Sequence, residues 1–111
     1  MKTYCLALDL KDNPELIAQY RHYHQPDQFW PDLASHIRSA GVINEQIFLL
    51  GTRMVMVLST TDDFAFERQA VLNRANPRMQ EWERLMDRFQ KRLPEAKDGE
   101  KWVRMEKIFE I

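Results

Sequence analysis

The sequence predicts an α+β fold, a ferredoxin-like antiparallel sheet with helices on one face. Three observations carry this. Four segments have the length and apolar content of strands, at residues 3–10, 43–50, 54–59 and 102–111. Helical signals fill the two long intervals, between the first and second strands and between the third and fourth. Only Leu50-Gly51-Thr52-Arg53 joins two strands by a tight turn. The order is therefore strand, helices, a two-stranded hairpin, helices, strand. That is β-α-β-β-α-β, with each helical crossover broken by a proline.

The elements follow in order. In Thr3–Leu10, Tyr4, Leu6, Leu8 and Leu10 point one way and Cys5 and Ala7 the other. Asn13 can cap the first helix, and Pro14 suits its first position. That helix must stop near Gln25, because Pro26 disfavours helical geometry in the residue before it. A second helix starts around Pro31, carries the stripe Leu33, Ile37 and Ala40, and ends at Gly41. Ile43–Leu50 and Met54–Ser59 form the hairpin. Asp62 or Asp63 opens a third helix, expected to run through Asn73. Asn76-Pro77 repeats the cap-then-proline signal and opens a fourth. Its apolar face is Met79, Trp82, Leu85, Met86, Phe89 and Leu93. After a loop at residues 94–99, Trp102–Ile111 reads as the last strand.

Helices cover one face of such a sheet, so the other should be polar if water meets it. It is not: the first strand offers Cys5 and Ala7 there, and the third is apolar on both faces. A second copy of the chain is the simplest cover, and a homodimer is expected.

At 111 residues the chain is expected to form a single domain, residues 1–111, with one real core. Sixteen basic residues balance 17 acidic ones, for a net charge of −1, which favours neither nucleic acid nor a membrane surface as partner. No apolar run approaches a membrane span, and the first residues lack the pattern of a signal peptide, so a cytoplasmic setting is expected. The single cysteine, Cys5, excludes an intrachain disulfide and a cysteine-rich zinc site.

The chemistry-bearing residues concentrate in Tyr20-Arg21-His22-Tyr23-His24-Gln25-Pro26, followed by Phe29-Trp30-Pro31. At about 100° per residue, Leu16, Ile17, Tyr20, Tyr23 and His24 share one side of the first helix, and His22 faces away with Ala18 and Gln19. Tyr20 and His24 stack one turn apart. His22 and His24 cannot form the familiar helical metal pair, which is spaced four apart. The helix end raises the pKa of His24 and burial lowers it, placing it near neutrality. Pattern alone leaves His24 open between a core-edge histidine bonded to a carbonyl and a proton-transfer group. His36 and Trp30 read as structural, Trp82 as core, Glu45 and Glu83 as solvated charges, and Glu100-Lys101 as a charge pair on a strand edge. No phosphate loop, nucleophile elbow or paired-carboxylate signature is present.

These residues carry a resemblance. Tyrosine, three residues, histidine, one residue and proline, then Trp30-Pro31-Asp32-Leu33, Gly41 through Phe48, Gln80-Glu81-Trp82 and Met105-Glu106-Lys107-Ile108-Phe109 are similar to the L-rhamnose mutarotase family over nearly the whole chain. Asn76-Pro77, Trp82-Glu83 and Gly99-Glu100-Lys101-Trp102 resemble the branch found with L-fucose utilisation. The resemblance implies a dimeric α/β barrel that interconverts the anomers of a 6-deoxy sugar, a monosaccharide substrate, with no cofactor and no metal. It implies His24 as the catalytic proton donor and Tyr20 and Trp82 as substrate-binding residues. Glu45 stands where the rhamnose enzymes place a further binding tyrosine, and Glu83 stands where they place a second tryptophan. On this footing, protonated His24 is the expected acid at the ring oxygen, with Glu45, Glu83 or water as base. Two other functions fit the same fold: a cofactor-free monooxygenase or haem-handling protein, and a non-catalytic sugar-binding regulatory module.

Overall fold

The computed structural model describes residues 1–111. Its elements are β1 (Lys2–Leu10), α1 (Pro14–Tyr23), α2 (Pro31–Ser39), β2 (Val42–Leu50), β3 (Arg53–Thr60), α3 (Phe66–Arg74), α4 (Pro77–Met86), β4 (Gln90–Lys91) and β5 (Val103–Arg104). All sheet pairings are antiparallel, in the order β2-β3-β1-β4, with β5 also on β1. This is the expected ferredoxin-like sheet, its fourth position shared by two short strands.

Register decides which side chains meet the helices. Leu6 pairs with Met56 and Leu8 with Met54 on β3, and these pair in turn with Ile47 and Leu49 on β2. Cross-strand partners share a face. Leu8, Leu10 and Met54 pack with Tyr20, Leu33, Met79, Trp82, Met86 and Phe89 in the main core. A smaller cluster joins Leu6, Val42, Leu58 and Phe64. The opposite face presents Cys5, Val55, Val57 and Val103 half-buried, with Phe48 58% and Leu50 84% exposed. Its charges are confined to one end, where Asp9 and Arg53 pair directly across β1 and β3.

The helix starts follow their caps. Asn13 Oδ1 accepts the N–H groups of Glu15 and Leu16 at 3.0 and 3.1 Å. Asn76 Oδ1 accepts those of Arg78 and Met79 at 2.9 and 3.1 Å. Each cap contributes about 1 kcal/mol, and each precedes a proline whose missing N–H costs nothing there. Gly41 ends α2 at φ 101°, and a Cβ there would come 2.8 Å from Thr61 Oγ1, so backbone angle and space both demand glycine.

Three expected elements differ. The third helix starts at Phe66, not at Asp62 or Asp63. Asp63 instead accepts the Thr61 hydroxyl at 2.7 Å, and Phe64 turns into the small core against Tyr4 and Phe66. The fourth helix stops at Met86. Phe89 and Leu93 are buried as expected, but by a tightened turn, with Phe89 N–H bonded to Met86 O at 2.9 Å, and by handover to β1 through Lys11 N–H to Phe89 O at 2.8 Å. The last strand, expected over 102–111, is only Val103–Arg104. Met105 N–H still reaches Cys5 O, but beyond it Ile108, Phe109 and Ile111 are exposed, because one chain offers these side chains no second surface. No helix is long and apolar enough to cross a membrane.

Candidate active site

The site grows from the end of α1. In an unbroken helix the His24 N–H would bond the Tyr20 carbonyl. Here it bonds Arg21 O at 3.2 Å, tightening the last turn ahead of Pro26. The freed Tyr20 carbonyl is taken by the His24 ring, whose Nδ1 lies 2.7 Å away. A carbonyl oxygen only accepts, so Nδ1 carries hydrogen and Nε2 is the nitrogen that exchanges protons. The imidazole is thus both a helix cap and a tethered titratable group. The two sequence readings of His24 describe the same side chain.

Aromatic rings fix its plane. The His24 centroid lies 4.3 Å from Tyr20, 5.4 Å from Trp82 and 6.0 Å from Phe29. Trp82 in turn meets Phe29 at 5.1 Å and Trp30 at 5.0 Å, both edge-on. Arg78 stacks 3.6 Å above the Trp30 ring and bonds Asp32 at 2.9 Å, tying α4 to the start of α2.

Two adjoining cavities of about 710 and about 430 Å³ share Tyr20, His24, Phe29 and Glu45 as walls, a space of the size small ligands use. Burial lowers the His24 pKa below the ordinary 6.5, outweighing the Tyr20 carbonyl, which raises it. The helix end does not prevail, and the ring is largely neutral at pH 7. Glu45 moves oppositely. Its side chain reaches water at the cavity mouth, but the surrounding walls and then the Glu83 charge raise its pKa above 4.5. Burial pushes the Tyr20 hydroxyl up to about 12, against a lowering contact with the Gln90 amide, with Glu45 and Glu83 adding to the rise. Tyr20 therefore stays a neutral hydroxyl.

The structure gathers Tyr20, His24, Glu45, Trp82 and Glu83 around this space, so Glu45 and Glu83 are not simply solvated charges. It leaves His22 exposed on the other side of α1. His36 is structural: its Nε2 donates to Asn73 Oδ1 at 2.8 Å and its Nδ1 accepts from Asn76 Nδ2 at 3.0 Å, locking α2 to the α3–α4 turn. The expected Glu100–Lys101 pair does not form. Lys101 turns instead to Glu83 at 2.6 Å and Asp87 at 2.8 Å, because the loop before β5 brings it under the end of α4.

Three wall residues have roles that pattern did not assign. Phe29 stood within the aromatic run, but nothing in spacing alone pointed it at His24. Lys101 belonged to an expected edge pair. Gln90 fell inside what reads as an apolar helix face and carried no signal of its own. In the structure it is buried in β4, opposite Leu10, and lines the cavity.

Comparison with known proteins bears on the family. The family model of L-rhamnose mutarotase matches residues 3–111. An L-fucose mutarotase of Xanthomonas campestris is 40% identical over 111 residues, covering all of this chain and 89% of that protein. A UPF0734 protein of Dictyostelium discoideum is 33% identical over 117 residues, covering 99% of this chain and 90% of its own. The crystal structure of L-rhamnose mutarotase from Formosa agariphila superposes with a TM-score of 0.69 at 17% identity, covering 100% of this chain and 99% of that one, and so shares the fold. Sequence and architecture together place the chain in the L-rhamnose mutarotase family.

Proposed function

We propose that the chain interconverts the α and β anomers of a 6-deoxy hexose, L-fucose or L-rhamnose, with His24 as a catalytic residue. The observation that carries this is the His24 tether. With Nδ1–H held by the Tyr20 carbonyl and burial favouring the neutral ring, the free lone pair of His24 is on Nε2, in a residue that lines a cavity with room for a sugar. This alters the starting state expected from sequence, where His24 enters as an acid.

In the proposed reaction, His24 Nε2 takes the proton of the anomeric hydroxyl. The C1–O5 bond breaks with its electron pair going to O5, which takes a proton from the Glu45 carboxyl. C1 becomes an aldehyde carbon, rotation about C1–C2 turns its other face inward, and the same transfers in reverse close the ring. The raised Glu45 pKa favours the protonated form this step needs. The anomeric O–H pair becomes the second C1–O bond as the C1–O5 pair leaves to O5, so the sugar loses one proton to His24, gains one from Glu45 and changes no oxidation state. Tyr20 donates a hydrogen bond to a ring hydroxyl, and Trp82 offers an apolar wall to the C6 methyl. Glu83, tied by Lys101, acts through its charge on Glu45 rather than as the base.

The helix-free face supports a homodimer, with Phe48, Leu50, Val55 and Val57 meeting their counterparts on a second copy. Saturation-transfer NMR on L-fucose and L-rhamnose tests the activity. Transfer between the anomeric protons should rise in proportion to protein concentration for at least one sugar. No acceleration over buffer with either sugar overturns the proposal.

A further inference from the structure

Gln90 is an anomaly in a well-satisfied chain. It is 9% exposed, and its Oε1 is the single buried side-chain oxygen or nitrogen without a hydrogen-bond partner. Burying an amide oxygen without a donor is costly, and native interiors rarely tolerate it. Packing does not require it: a methionine would fill the same volume beside Leu10 and carry no orphan atom. Its polarity asks for a partner from outside the chain.

The surroundings say what that partner is. Gln90 stands opposite Leu10 and shares a cavity wall with Tyr20, His24, Glu45, Trp82 and Glu83. An unpaired oxygen must be met by a donor, so an ionised carboxylate cannot satisfy it and an apolar ligand leaves it orphaned. The Gln90 side chain also lies near enough to the Tyr20 hydroxyl to lower its pKa. If the amide nitrogen donates to Tyr20 Oη, the phenolic hydrogen is turned outward. One acceptor and one donor then stand side by side, matching two adjacent hydroxyls of a sugar ring, each of which both gives and takes.

We infer that Gln90 is a substrate-positioning residue whose Oε1 accepts a hydrogen bond from a ring hydroxyl at C2, C3 or C4, paired with the Tyr20 hydroxyl as donor. This rests on the mutarotase reading. A neutral amide exchanges no proton at neutral pH, so Gln90 holds the sugar while His24 and Glu45 move protons. Sites built to bond a hydroxyl discriminate strongly against analogues that lack it. Gln90 would therefore help select among 6-deoxy sugars by the orientation of one hydroxyl.

The test is Gln90→Met, assayed for anomer exchange on L-fucose and on its 2-deoxy, 3-deoxy and 4-deoxy analogues, with sugar binding followed by calorimetry. The variant should melt no lower than wild type, because an unpartnered oxygen has been removed. On L-fucose kcat/KM should fall about tenfold, chiefly through KM. With one analogue, the one missing the bonded hydroxyl, wild type and variant should become equal, while the others keep the tenfold gap. A gap of the same size with all three analogues, or no loss on L-fucose, overturns the inference. If Gln90→Met does not fold, Gln90→Leu carries the same comparison. Wild-type exchange is the separate check on the mutarotase reading. Should wild type bind L-fucose without exchanging it, the binding constants of the same protein and sugar pairs still decide the role of Gln90.

Discussion

Lys101→Met probes the wall beside the carboxylates. The Lys101 ammonium lies 2.6 Å from Glu83 Oε2, 2.8 Å from Asp87 Oδ1 and 3.3 Å from the Glu83 carbonyl. Its side chain is 14% exposed, but its partners are 36% and 56% exposed. A fully exposed pair contributes ~0–1 kcal/mol and breaking a buried one costs ~3–5 kcal/mol. A buried cation whose anions reach water falls between, at about 2 kcal/mol after screening. Methionine keeps the apolar stem, so the loss is electrostatic. For 111 residues, an unfolding entropy of about 2.1 cal/mol/K per residue totals about 0.23 kcal/mol/K. Calorimetry should therefore show Tm lower by about 8–9 °C, and the gap should narrow in high salt. Removing the ammonium also leaves the Glu83 charge uncompensated, which raises the Glu45 pKa further. The alkaline fall in exchange rate should then move to higher pH. A Tm within about 2 °C of wild type and an unmoved alkaline limb would refute the assignment of Lys101 as the clamp on this wall.

Other outcomes follow from the same geometry. The His24 pKa is lowered on folding, so exchange should fall as pH drops from 6.5 through the lower folded value, with part of the stability lost over the same window; Glu45→Gln should keep this acid limb, erase the alkaline one set by loss of the Glu45 proton and slow exchange by ~10²-fold or more. Asn76→Ala removes the α4 cap and the bond to His36 together, so urea unfolding should show a loss of about 2 kcal/mol. Val57→Asp, on the helix-free face, should turn a dimeric sedimentation mass into a monomeric one, and a wild-type protein already monomeric at micromolar concentration would contradict the dimer.

Much of this was legible before any coordinates. Local chemistry fixed two helix starts: Asn13-Pro14 and Asn76-Pro77 each open a helix where a cap and a missing N–H coincide, whereas Asp62 and Asp63 did not open the third. Strand alternation placed Leu6, Leu8 and Leu10 on the covered face, and helix phase separated His24 from His22. Element ends were less legible, because they depend on tertiary competition. Phe89 keeps helical spacing with Trp82 and Met86, yet its carbonyl is claimed by Lys11 of the segment after β1. Residues 106–111 alternate poorly and find no partner within one chain. The site was half-visible. Tyr20 and His24 lie one helical turn apart, and a helix wheel shows that. Gln90 and Lys101 reach the cavity from a two-residue strand and a loop, where no periodicity announces a side chain's direction. The sign of the His24 shift needed the depth of its burial, which pattern cannot supply.

The most direct measurement is polarimetry on freshly dissolved crystalline L-fucose and L-rhamnose, with wild type and His24→Gln at equal concentration. Wild type should bring at least one sugar to its equilibrium rotation at a rate proportional to enzyme, while His24→Gln, folded and with unchanged oligomeric state, should track buffer to within about one part in 10² of the wild-type acceleration. If the variant accelerates as wild type does, the proton transfers do not run through His24 Nε2. If wild type also tracks buffer with both sugars, mutarotation is not its reaction.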